Sequence, residues 1–367
     1  ILREGGNAIE AAIAAAAVLP VVYPHMNALG GDGFWLCAQP GESPICIDAS
    51  GAAAALATPA FYADRGFSEI PSRGPAAALT VPGAVAGWGE AYALSQEWGG
   101  ALPWPRLLGE AEWLARDGVM TTASEARAAR MVHGALKDMP GFAKAHLIEG
   151  RPPRVGERRR NPDLAATLAR IAQAGHEDFY RGDLAAALGR SLEDAGSPLR
   201  RSDLEAYRAE RRSPLRIKLS VGEVFNHPPP SQGVASLMIL GVFDRLGARG
   251  AEAFSHVHGL VEATKRAFLR RDQAVWGGDA TIAQALLDPA LLDREADAID
   301  QRRAAPWPVN AAPGGDTVWL GVIDREGRAA SYIQSVYWEY GSGFVSDGLG
   351  VCWQNRGLAF SLDPAAP

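Results

Sequence analysis

Gly314-Gly315-Asp316-Thr317-Val318-Trp319-Leu320-Gly321-Val322-Ile323 is joined by Asp324-Arg325-Glu326-Gly327-Arg328 to Ala329-Ala330-Ser331-Tyr332-Ile333-Gln334-Ser335. Both flanks are rich in β-branched and aromatic residues around a polar, glycine-bearing link, which is the pattern of a β-hairpin. Loop length decides the register. A two-residue turn at Arg325-Glu326 would set Thr317 opposite Gln334. A three-residue loop with Gly327 in a left-handed bulge sets Asp324 opposite Arg328, and hence Thr317 opposite Ser335. Facing residues stand roughly 4.5–5.5 Å apart at Cβ, so that register brings two hydroxyls together. Val318, Leu320 and Val322 line one face and Trp319, Ile323 and Ile333 the other. Two apolar faces predict a strand pair covered on both sides within a layered fold.

Thr317 stands at the start of its strand. Were the Asp316–Thr317 peptide cut, one residue would carry both a hydroxyl nucleophile and a free α-amine. Such an amine has a pKa of roughly 7.7–8.0 and can take the hydroxyl proton near neutral pH. The plain alternative is a threonine that only opens a strand, and from these residues alone it is the commoner case.

Outward from the hairpin, Asn7 is placed to cap a helix over Ala8–Leu19, stopped by Pro20. Gly30-Gly31-Asp32-Gly33 precedes a strand at Phe34–Cys37. It lacks the Gly-Lys-Ser/Thr ending and the strand-then-helix setting of a nucleotide loop, so it reads as a tight turn near a cleft. Asp32 either approaches the active site or serves the turn. Helices are predicted at Pro105–Arg116, Pro162–Ala174, Leu184–Ala195 and Val234–Leu246, and over about 254–271. A strand is predicted at Arg216–Asn226. His256 and His258, two apart in a helical pattern, diverge and do not make a metal pair.

The chain has 367 residues, 47% hydrophobic and 21% charged, which excludes global disorder. The formal charge of −6 disfavours a nucleic-acid binder. Three cysteines follow no metal-ligand spacing. The longest nearly apolar run, Ala11 to Leu19, is too short to span a bilayer. A soluble protein is expected, its compartment open between cytoplasm and periplasm. The opening Ile1-Leu2-Arg3-Glu4 reads as a helix under way, and the chain stops just after a strand-like segment. Truncation at both ends is therefore expected.

Several stretches resemble the γ-glutamyltransferase family of N-terminal-nucleophile hydrolases. They are residues 2–8, Pro24-His25-Met26, Gly30–Phe34, Val81–Trp88, Pro228–Gly233, and the hairpin continuing to Gly341-Ser342-Gly343. The resemblance implies an α+β fold, a four-layer αββα sandwich, made as one precursor. By that resemblance, residues 1–316 are the large, mainly helical segment and residues 317–367 begin the small one. Asp316 and Thr317 flank the self-cleavage bond, Thr317 matches the nucleophile, and Ser335 matches a hydroxyl that hydrogen-bonds it. No metal or organic cofactor is implied. The expected partners are a small amide substrate and the remainder of the small segment, with processed segments able to form homo- or hetero-oligomers. The family's oxyanion-hole glycines fall downstream of the chain end.

The match departs from γ-glutamyl enzymes where they grip the substrate's amino-acid end. Their arginine position falls near Pro59, their asparagine after the second hydroxyl becomes Tyr337, and Arg356 and Ala359 replace an amide or acid and an aspartate. A substrate ammonium would meet a cation where those enzymes offer a carboxylate. The chain instead resembles a divergent branch that includes oxamate amidohydrolase. There Arg356 would bind a substrate carboxylate, arginine's fork suiting that anion. The alternative for Arg356 is a surface or structural role; Tyr337 either lines the pocket or packs on the sheet. A γ-glutamyl hydrolase or transferase and an uncleaved, noncatalytic family member are the competing functions.

Overall fold

A computed structural model describes residues 1–248, 250–274, 279–307 and 317–363. The chain divides into two compact units. One comprises residues 1–41, 47–210 and 314–366, the other residues 42–46, 211–313 and 367.

The first unit holds the hairpin. Helix α1 (Ala8–Val22) begins with a full capping box. The Asn7 side chain accepts from the Ile9 and Glu10 amides, and Glu10 accepts from the Asn7 amide. Pro20 does not stop this helix; it lies inside the last turn. There its ring costs one backbone bond, while the Tyr23 amide still closes on the Leu19 carbonyl at 2.8 Å.

Strands β1 (Asp32–Ala38), β2 (Ile45–Ala49), β3 (Val318–Ile323) and β4 (Ala329–Ser335) lie in the order β2-β1-β4-β3. The β3–β4 register pairs Val318 with Gln334 and Ile323 with Ala329, as the three-residue loop predicts. Gly327 has φ of 78°, and the Asp324 amide donates to the Arg328 carbonyl at 3.0 Å. On the other side, β4 pairs antiparallel with β1, setting Asp32 opposite Ser335 and Phe34 opposite Ile333. Helix α1 packs on β3 and β4, and helix α2 (Ala84–Glu97) packs on β1.

The helices cover the face that carries Leu320, Tyr332 and Gln334. On the opposite face Trp319, Ile323 and Ile333 are 63%, 71% and 39% exposed. The described residues thus do not cover both sides of the strand pair. Apolar character alone could not tell which element lies over each face.

In the second unit, the segment predicted as one strand is a hairpin of Leu215–Leu219 and Gly222–Asn226. The chain reverses at Ser220-Val221. Gly222 takes φ of 148°, and Asp244 accepts the Ser220 amide at 2.8 Å. Helices at Gly233–Arg245, Phe254–Ala274 and Pro289–Asp297 complete a core of Leu215, Ile217, Leu237, Met238 and Leu292. His256 sits edge-on to Phe243, while His258 meets the Asp300 carbonyl at 2.7 Å, so the two rings do diverge. Among the described residues, no helix is long and apolar enough to cross a membrane.

Candidate active site

Thr317 and Ser335 end neighbouring strands on the same face of the sheet. The Thr317 hydroxyl donates to Ser335 Oγ at 3.4 Å. That contact is long for an O–H···O bond, so it orients the hydroxyl more than it holds it. Ser335 Oγ also accepts the Tyr337 amide at 2.9 Å. Asp316, and with it the Asp316–Thr317 peptide, lies outside the described residues.

The third member of the row is Asp32. Opposite residues in antiparallel strands project to the same side, so Asp32, Ser335 and Thr317 stand side by side across β1, β4 and the start of β3. Asp32 can sit there because glycine precedes it. A Cβ on Gly31 would lie 2.3 Å from the Ser335 carbonyl oxygen, and one on Gly30 would lie 2.1 Å from that of Cys352.

Arg356 closes on Asp32. Its Nη2 donates to Asp32 Oδ1 at 3.2 Å, Nε lies against Oδ2, and its guanidinium carbon stands 5.6 Å from the Phe34 ring centroid. Asp32 is 1% exposed, and burial pushes its carboxyl up while Arg356 opposes that by charge and hydrogen bond. Arg356 is thus neither a lone surface cation nor an unpartnered substrate ligand. With Asp32 against it, the local charge is closer to zero than Arg356 alone would make it. The repulsion expected for a substrate ammonium is correspondingly smaller.

Asn355 holds the loops that frame this pair. Its Oδ1 accepts the Trp338 amide at 3.1 Å, its Nδ2 donates to the Ser72 carbonyl at 3.0 Å, and its own amide donates to the Val336 carbonyl at 3.2 Å. Tyr337, half-buried, has φ of 81° and stacks on Trp338 with ring centroids 6.2 Å apart. A non-glycine residue in that conformation costs about 1–3 kcal/mol and persists only where its surroundings hold it. Here Ser335, Asn355 and Arg73, which donates to the Glu339 carbonyl at 2.6 Å, supply the hold.

The sequence alone leaves Asp32 between a site role and a turn role and carries no signal for Asn355. The hint for Asp32 was an acid inside a glycine run at a strand start; its neighbour Ser335 is 303 positions away and has no local signature. The cysteines form no disulfide and all are buried, and burial pushes the Cys352 thiol up to about 12, leaving it inert.

The fold is α+β and of the N-terminal-nucleophile hydrolase class, as its superposition on solved acylase and γ-glutamyltranspeptidase structures shows. Within that class the chain belongs to the γ-glutamyltranspeptidase family, whose model matches residues 1–367. It is 50% identical over 368 residues to the oxamate amidohydrolase proenzyme of Klebsiella pneumoniae subsp. pneumoniae, covering 99% of this chain and 69% of that one. It is 30% identical to the Escherichia coli glutathione hydrolase proenzyme, covering 100% and 65%. Among solved structures, cephalosporin acylase from Bacillus halodurans superposes with a TM-score of 0.88 at 31% identity, over 100% of this chain and 68% of that one. The family is one of enzymes.

Proposed function

We propose that the chain belongs to a self-cleaving amidohydrolase precursor, with residues 1–316 as the large segment and residue 317 opening the small one. Cleavage of the Asp316–Thr317 peptide frees the Thr317 α-amine. The amine takes the hydroxyl proton, and Oγ1 attacks the amide carbon of a small carboxylate-bearing substrate of the oxamate kind. The adduct collapses and expels ammonia, which receives a proton from the same amine. Water then hydrolyses the threonine ester and regenerates the hydroxyl. Ser335 orients the nucleophile, Arg356 receives the carboxylate, and Tyr337 walls the pocket.

The observation that carries this reading is the meeting of the Thr317 and Ser335 hydroxyls at 3.4 Å on one face of the sheet. The similarity to an oxamate amidohydrolase supports the substrate class. Intact mass and N-terminal sequencing of the full-length gene product, with ammonia release from oxamate and turnover of a γ-glutamyl anilide, test it. Two pieces with Thr317 at a new N-terminus and turnover of oxamate are expected. Thr317→Ala should stay uncut and lose about a thousandfold or more in turnover, whereas Thr317→Ser should still be cut. One persistent chain would mark a noncatalytic family member. Turnover of the anilide in place of oxamate would mark a γ-glutamyl enzyme.

A further inference from the structure

We propose that Asp32 is a positioning residue that aims Arg356 at the acyl site, an inference that rests on the carboxylate-amide reading above. A guanidinium carries five N–H donors in a fixed planar fork. Asp32 occupies one edge, Oδ2 against Nε and Oδ1 against Nη2. The adjoining edge, formed by Nη1 and the outer Nη2 hydrogen, presents two parallel donors, the geometry that a second carboxylate accepts bidentately. The Arg356 side chain is 29% exposed and that of Asp32 only 2%, so the anchor is buried while part of the arginine stays accessible among the described residues. Phe34, beneath the guanidinium, limits the tilt of its plane.

The sheet register places this anchor beside the reacting hydroxyls. Asp32 faces Ser335 across β1 and β4, and Thr317 reaches Ser335 from the other side. Each step across the strands is roughly 5 Å at Cβ. The proposal seats a small planar substrate, its carboxylate adjoining its amide carbon, between the arginine edge and the threonine oxygen. Because Asp32 lies against Arg356 on one edge, selection at the other comes from the placing of two donors as well as from charge. The ligand class is therefore a compact, planar α-carboxy amide.

The test compares oxamate with its neutral counterpart oxamide in processed full-length enzyme. The ratio of their kcat/KM values isolates carboxylate recognition, which a merely structural role for Asp32 would not move. Asp32→Asn should lower the oxamate-to-oxamide ratio at least tenfold. Arg356→Lys keeps a cation beside Asp32 but removes the second edge, and it should lower the ratio similarly. Asp32→Glu keeps the carboxylate but displaces it by one methylene, so it too should lower the ratio, and it decides the matter should Asp32→Asn fail to accumulate folded protein. An unchanged or increased ratio in Asp32→Asn overturns the proposal, and so does an unchanged ratio in Arg356→Lys. A wild-type enzyme cut before Thr317 that releases ammonia from neither amide would sink the substrate reading, and this proposal with it. An active wild type whose ratio survives both substitutions sinks this proposal alone.

Discussion

Gln334 adjoins Ser335 but points to the covered side of the sheet, where it is fully buried. Its Oε1 accepts from the Trp88 indole at 3.0 Å and from the Tyr332 hydroxyl at 2.7 Å, and its amide nitrogen donates to Asn27 Oδ1. Asn27 in turn donates to the Gln334 carbonyl at 2.9 Å. All the polar atoms named are satisfied, so the network fixes the strand that presents Ser335. Gln334→Leu keeps the approximate volume but leaves an indole N–H, a phenol and an amide without partners. We expect a loss of about 3 kcal/mol or more in urea unfolding, since each buried orphan costs about 1–3 kcal/mol. A loss below about 1 kcal/mol would mean that the network is slack.

At the scale of elements, the β3–β4 hairpin is pinned to helix α1 by its own turn. Asp324 Oδ2 accepts the Ala8 amide at 3.0 Å and Arg328 Nε at 2.6 Å, while Oδ1 accepts the Glu326 and Arg328 amides at 3.0 Å. Arg328 also donates to the Trp98 carbonyl at 2.7 Å. The carboxylate therefore meets the positive end of a helix as well as an arginine. Burial raises the Asp324 pKa, but the Arg328 side chain, the Ala8 and Arg328 amides and the Arg328 charge outweigh it and leave it lowered. A depressed carboxyl stabilises the fold above its unfolded value of roughly 3.9, and this contribution is lost as pH falls through the lower, folded value. Hydrogen exchange of the hairpin amides should therefore quicken selectively below about pH 4. Asp324→Asn should show the quickened exchange already at pH 7, at a cost of about 1–2 kcal/mol. Equal protection in mutant and wild type would contradict the clamp.

Acid sensitivity of the whole molecule should begin earlier than its carboxylates dictate. His146 is 4% exposed, packed against Phe142 and Tyr340, and neither ring nitrogen has a hydrogen-bond partner among the described residues. Burial above all, then the charges of Arg159 and His25, pull its pKa down to about 3. The unfolded chain takes up this proton near pH 6.5 and the folded chain does not. Stability is therefore full above that value and falls as pH drops toward the folded pKa, by a few kcal/mol. His146→Phe should flatten the stability profile of the full-length protein between about pH 6.5 and 4 in urea titrations. A wild-type profile already flat over that range would contradict the buried neutral ring.

Local chemistry is what made the hairpin legible in advance. Gly327 adopts the left-handed conformation that the three-residue loop demands, loop length fixes strand parity, and parity put Thr317 beside Ser335 with no knowledge of the rest of the fold. The Asn7 cap and the Pro162–Ala174 helix were readable for the same reason, since their signals lie within one turn of the residues they govern. Tertiary structure alone decided that Asp32 flanks Ser335, that Arg356 closes on Asp32 and that Asn355 ties three loops. These facts depend on which distant strand pairs with β4 and which backbone crosses the glycine turn. Such contacts join residues up to 324 positions apart, and no local period or propensity encodes them.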